Sequence, residues 1–322
     1  MNRQCRVLIL GVATTLLACT ESFDSKGGHE PQLVVYSVMT AQTDTQLVRV
    51  YSTYDPPAYN PLDVVTDNPV TDAQVTISRG GQTYGLRDTF ITRIDKSRYT
   101  SDIRAFVANP LSVQPGSAYT LNINSPTRGT ITASATIPDK ALMILVNPFA
   151  VDAPSVFTNQ DLSLQVTLSR HTKGYLMRLY LVYEYTSGGI TYTKWSEVPS
   201  TVRTIGAETI ESFPRLVRRT STVTATSSGR ESVSIPNQAY RHQINKIKSQ
   251  YGGLNLKFLS VIFILIQVET NFYNYYNVAN GFQDQFSIRT DEPDYSSIKG
   301  GVGVFGGMVN DTLVKALPAF ID

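Results

Sequence analysis

Gly301, Gly303 and Gly306 spell G-x-G-x-x-G within "IKGGVGVFGGMVNDTLVKALPAFID". That spacing is the phosphate cradle of dinucleotide-binding folds, where backbone N–H groups at a helix start meet a pyrophosphate. The chemistry needs a strand before the glycines, a helix after them, and an acid about twenty residues further on. Only sixteen residues follow Gly306, too few for the helix and second strand of a βαβ unit. The glycines are therefore expected in a strand or bulge where another backbone packs closely, with no nucleotide as partner.

Other reactive residues are sparse. The three histidines, His29, His171 and His242, belong to no G-x-S-x-G or H-E-x-x-H pattern and read as solvated side chains. Asp291, Glu292 and Asp294 in "RTDEPDYSS" crowd three carboxylates that could share Ca²⁺. A solvated turn at Pro293 is the favoured reading, so no metal or other cofactor is expected. Arg215, Arg218, Arg219 and Arg230 could face a phosphate or an anionic lipid. With Glu208 and Glu211 nearby, they read instead as charged gatekeepers on an exposed strand. Trp195, Tyr183, Tyr185 and Tyr192 could stack a ligand, but cross-strand pairing inside a sandwich is favoured. Asp311-Thr312-Leu313 resembles the Asp-Ser/Thr-aliphatic acceptor of Bacteroidota O-glycosylation, which makes Thr312 a candidate glycan site. None of these sets makes a catalytic constellation, and the chain is not expected to be an enzyme.

The clearest chemistry lies at the front, in "MNRQCRVLILGVATTLLACTESFD". Arg3 and Arg6 precede an apolar run over 7–17 that is shorter than the roughly twenty residues of a bilayer span. It has the build of a secretion signal. The run ends in Leu16-Leu17-Ala18-Cys19, which resembles the lipobox of bacterial lipoproteins, Leu17 being a less usual choice before the small residue. Such signals are cut before the cysteine, which then carries a diacylglycerol thioether and an N-acyl chain such as palmitate. Cys19 is the expected lipidation site; an ordinary cleaved signal with an incidental cysteine is the alternative. The other cysteine, Cys5, lies in the removed part, so no internal disulfide is available. At about 0.8 kcal/mol per buried methylene, two or three acyl chains anchor a protein durably.

Cleavage also balances the charge. The chain has 28 basic and 26 acidic residues, and losing Arg3 and Arg6 evens them. A neutral protein gives no electrostatic reason to expect nucleic acid. The 322-residue length suits two domains better than one.

The elements that must position these residues are mostly strands. Residues 1–18 read as signal peptide and 19–31 as a polar tether. Over 32–139, "QLVVYSVM", "TQLVRVYSTY", "DAQVTISRGGQTYGLRD" (a hairpin turning at Gly80-Gly81) and "GSAYTLNINSPTRGTITASATIP" describe a β-sandwich resembling Ig-like and transthyretin-like modules. Pro138 and Asp139 mark the boundary to a second β-rich domain over 140–322, sandwich-like and fibronectin-like, with two short helices. One helix starts at Pro236-Asn237, carries Tyr240, Ile244, Ile247 and Tyr251 on one face, and stops at Gly252-Gly253. The other covers "NFYNYYNVANG", with Gly281 as C-cap. Between them "LNLKFLSVIFILIQVE" is expected as a strand buried on both faces. The stretch 200–235, rich in Thr, Ser and Arg, gives no clear pattern.

Taken in order, the lipobox, "PQLVVYSVMT", "PVTDAQVTI", "YTSD", "PGSAYTL", "ASATIP", "NFYNYYN" and "IKGGVGVFGG" resemble the Bacteroidota lipoprotein family of domain of unknown function 4249. The resemblance implies two β-rich modules on a lipid anchor at the outer membrane, on its periplasmic face or the cell surface. It also implies an accessory role, since members are often encoded near outer-membrane TonB-dependent transporters; it brings no catalytic residue. The expected function is a lipid-anchored envelope protein for binding or assembly, with a TonB-dependent receptor as partner. An adhesin or fimbrial-type subunit is the alternative, and a surface hydrolase the more remote one.

Overall fold

Period-two alternation becomes a mainly β structure in the computed structural model, which describes residues 30–54, 64–97, 99–146, 160–222, 229–280 and 295–317. Cys19, Asp291, Glu292, Asp294, His29 and Gly281 lie outside the described residues. The first half contributes β1 (Leu33–Thr40), β2 (Gln46–Ser52), β3 (Gln74–Arg79), β4 (Gln82–Gly85), β5 (Arg87–Ile91), β6 (Ile103–Ala108), β7 (Ala118–Ser125) and β8 (Gly129–Thr136). After it come β9 (Leu142–Leu145), β10 (Leu162–Leu168), β11 (Gly174–Ser187), β12 (Ile190–Val198), β13 (Thr201–Ile205), β14 (Glu208–Ser212), β15 (Val217–Arg218) and β16 (Gly229–Ile235). The chain closes with α1 (Asn237–Tyr251), β17 (Lys257–Val268), α2 (Thr270–Asn280) and β18 (Val302–Ala316). No described helix is long and apolar enough to cross a membrane.

Local chemistry accounts for many of these elements. In β1, Leu33, Val35 and Met39 point inward while Tyr36 points out. The β3–β4 hairpin turns on Gly80 and Gly81, both at positive φ, as a two-residue turn demands. Helix α1 buries Tyr240, Ile244 and Ile247 at the expected spacing, and the Gly252 N–H donates to the Lys248 carbonyl at its end. Helix α2 begins where the Glu269 carboxylate accepts the N–H groups of Asn271 and Phe272, both at 2.7 Å, a cap that the residue pattern did not suggest.

Two cores result. In the first, the inner face of β18-β1-β2-β6 packs on the four-stranded sheet β4-β3-β7-β8, through residues such as Val35, Val50, Ile77, Leu121 and Phe305. In the second, β11 and β17 pack against β9-β10-β16 and α1, through Leu164, Leu181, Tyr240 and Phe263. One large sheet, ordered β12-β11-β17-β18-β1-β2-β6-β5, runs through both. The 15-residue β18 is its joint. Val302 to Met308 pair in parallel with β1, from Val34 to Thr40, and Met308 to Ala316 pair antiparallel with β17. Ile298, Phe305 and Val309 thereby sit in the first core, and Leu313 packs on the second.

Strand β17 departs from the expectation of two buried faces. Val261, Phe263 and Leu265 are fully buried toward the second core. On the opposite face Ile262 is buried but Ile264 and Ile266 are only half-buried. The reason is that α1 and the smaller sheet cover one side of β17. Gln267, fully buried near its end, uses all its capacity: its oxygen accepts from Ser169 N and Thr172 Oγ1, and its amide donates to Asp139 O and Asp311 Oδ2. That network fastens residues 139 and 169 to β17 and β18.

Candidate functional site

The stretch that gave no sequence pattern builds one wall of a cleft. Tyr175, Met177 and Leu179 alternate along the inward face of β11, and Val233 and Ile235 do so on β16. The β13–β14 hairpin supplies a wall, with Arg203 opposite Ile210 and Thr201 opposite Ser212 in register. Phe213, Arg215 and Val217 continue that wall at every second position. The enclosed volume is about 780 Å³, within the range of small-molecule sites.

The cleft gathers side chains that a folded chain ordinarily hides. Ile205, Ile210, Phe213 and Val217 are exposed by 65%, 47%, 45% and 46%, and all four line it. Together they give the cleft an apolar side beside its hydroxyl-bearing one. Among the described residues, Arg203 and Arg215 are the charged side chains of the lining, and no acid joins them. The hairpin's other face is pinned to α1, where Glu211 accepts from Lys246 Nζ and His242 Nε2, each at 2.8 Å. The Lys246 and His242 hydrogen bonds hold the Glu211 carboxyl below its ordinary range. That contribution is complete above the unfolded pKa and fades as pH falls through the lower folded one, so the hairpin is held at neutral pH.

Burial and the charge of Glu231 push the Tyr175 hydroxyl above its usual pKa, so it stays a neutral donor. Among the described residues lining the cleft, no nucleophile is paired with a base. Among the described residues no three His, Cys, Asp or Glu side chains cluster as metal ligands.

The other singled-out residues fall elsewhere, Arg215 excepted. Gly303 and Gly306 lie in β18 and Gly301 just before it. A Cβ on Gly306 would come within 2.8 Å of Glu269 Oε1 and Phe272 Cβ, which is the close approach expected of a packing glycine. Tyr185 stacks on its cross-strand partner Tyr192 at 5.4 Å and on Tyr251 at 4.4 Å, and Tyr183 is buried. Trp195, 58% exposed, tilts against Tyr180 at 6.2 Å. His171 accepts from Arg170, while His242 is partnered by Glu211 and half-buried, unlike the solvated side chain expected. Arg219 is not a free gatekeeper: its Nη1 donates to the Ser169 carbonyl at 3.0 Å. Arg218 and Arg230 are exposed on β15 and β16. Thr312 is exposed on β18, while Asp311 accepts the Ala141 N–H at 2.9 Å, its carboxyl raised by burial. Cleft residues such as Met177, Ile205, Ile210 and Val233 were not singled out. Their one sequence signal is Ile205 and Ile210 flanking the Gly206 turn in an otherwise polar stretch.

The family described as "Domain of unknown function (DUF4249)" matches residues 20–313. The chain belongs to this family. Its match spans both cores, the cleft and most of β18. No curated protein matches the chain. The C-terminal globular domain of an oligosaccharyltransferase from Pyrococcus abyssi aligns with 70% of the chain at 10% identity and a TM-score of 0.21. This chain spans 44% of that domain, and a likeness so low carries no argument about fold or function.

Proposed function

We infer that this member of the family is a lipid-anchored binding protein of the cell envelope, and that the β11–β16 cleft receives the apolar part of its ligand. The observation that carries the reading is the convergence of Ile205, Ile210, Phe213 and Val217 on one cleft. The lipobox ending at Cys19 supports the anchor, and the family match begins at the next residue. An outer-membrane location fits such an anchor. An accessory place beside a TonB-dependent transporter fits a protein with a binding cleft. The adhesin reading is weakened by β1, which is paired on both edges and so is not spare for donor-strand exchange.

Anchoring is tested by metabolic labelling with an alkynyl fatty acid. Wild type should be labelled and membrane-bound, Cys19→Ser unlabelled and released. Equal labelling of the two, or an unlabelled soluble wild type, sinks the anchor.

The cleft is tested with the neutral apolar dye N-phenyl-1-naphthylamine and a soluble chain of residues 20–322, which keeps every described residue. Its fluorescence should rise saturably with wild type. Ile210→Glu sets a carboxylate in the cleft from an already exposed position, so the fold should persist and the rise should fall at least about tenfold in affinity. A wild type that does not bind the dye overturns the cleft.

A further inference from the structure

We propose that the cleft is built for an acyl chain with an anionic head, the head held by Arg203 and Arg215; this rests on the reading of the cleft as the binding site. Both arginines have apolar neighbours on the cleft face. On β13 Arg203 is two residues from Ile205 and directly opposite Ile210, so all three side chains share the cleft face of the hairpin. Beyond the hairpin, Arg215 stands between Phe213 and Val217 in the same every-second pattern. Each guanidinium thus stands beside apolar side chains of the cleft, an arrangement that suits a molecule apolar along its length and charged at one end.

Among the described residues the side chain of neither Arg203 nor Arg215 makes an ion pair or a hydrogen bond; Glu208 shares the hairpin face of Arg203 but does not line the cleft. The acids nearest in sequence are turned to other work or lie outside the lining. Glu211 is on the opposite hairpin face with Lys246 and His242, and Glu208 sits at the hairpin tip across from Ile205. Glu231 of β16 accepts from the Thr220 and Ser221 N–H groups and the Thr220 hydroxyl. Guanidinium groups match carboxylate and phosphate oxygens through paired N–H donors, and hydrogen bonds to charged groups are the stronger kind. The floor is adaptable in the way a flexible chain requires: Met177 and Leu179 are unbranched at Cβ, and methionine fills irregular space.

The test displaces N-phenyl-1-naphthylamine from the soluble chain with three ligands of one chain length: dodecanoate, dodecyl phosphate and dodecanol, all kept below micelle formation. Both anions should displace the dye at concentrations on the order of tenfold lower than dodecanol. The tighter of the two names the head group as carboxylate or phosphate. In Arg203→Gln/Arg215→Gln the anions should fall to the level of dodecanol, with dodecanol itself unchanged, which shows that the cleft has kept its shape. Equal displacement by all three ligands overturns the anionic head and leaves the apolar cleft standing. Anion preference that survives the double substitution overturns the assignment to these arginines. Absence of dye binding removes the cleft and this inference together.

Discussion

Gly303→Val is expected to break the pairing of β18 with β1 and to lower the melting temperature by roughly 10 °C. Gly303 sits at φ +113°, a backbone angle that side-chain-bearing residues rarely adopt. A Cβ there would also overlap the Val35 carbonyl of β1, which is itself backbone and cannot swing away. The two penalties act together, about 1–3 kcal/mol for the backbone angle and a similar amount for overpacking. A sum of roughly 2–6 kcal/mol is a large share of a typical domain's 5–15 kcal/mol. Gly85→Ala serves as the control, since a Cβ there meets nothing within 4 Å. The same melts, run with millimolar NAD, FAD or ATP, should show no rise for either protein, because β18 spends its N–H groups on neighbouring strands. A variant as stable as wild type would refute the packing role of the glycines. A nucleotide-dependent rise that Gly303→Val abolishes would restore the phosphate cradle.

Phe263→Asp should leave little folded protein at all. Phe263 is fully buried in β17, in register with Leu179 of β11 and Leu313 of β18. Removing the ring costs about 3–5 kcal/mol, and an unpaired buried carboxyl adds several more. Together they match the whole stability of an ordinary domain. Ile264→Asp, one residue on, turns to the half-buried face, where water can reach the carboxylate. Circular dichroism and sedimentation of the two variants side by side make the comparison. Equal damage from both would mean that the two faces of β17 are equally enclosed, against the structure described.

What the sequence made legible follows the physics of periodicity. The rows Leu33-Val35 and Val261-Phe263-Leu265, and the Tyr240-Ile244-Ile247 stripe, each bury a face, and burial imposes a period that can be read. The hairpin over 201–212 was illegible for the converse reason. Its apolar residues Ile205 and Ile210 face an open cleft, and its other face is held to α1 through Glu211, so no core pattern forms. Gln267 and Glu269 were invisible because a buried polar residue reads like an exposed one until its partners are known; those partners lie at 139, 169 and 307. The pairing of Val34 with Val302 leaves no local trace, since parallel neighbours need not be near in sequence. The glycines of β18 could be read as packing residues, but the strand they pack against could not.

The joint formed by β18 also sets the order in which the molecule can be finished. A chain emerging N-terminus first presents β1 with only β2 beside it, and the inner row of Leu33, Val35 and Met39 then lacks Phe305 and Val309. The half of the protein that appears first therefore stays incomplete until nearly the whole chain is present. Until residues 302–309 arrive, β1 keeps an unpaired edge of the sort that invites wrong partners, and closing it requires a contact across nearly the whole chain. On the proposed export as an unfolded thread, this segment would act as a latch, since the first core could close only after residues 302–309 had crossed.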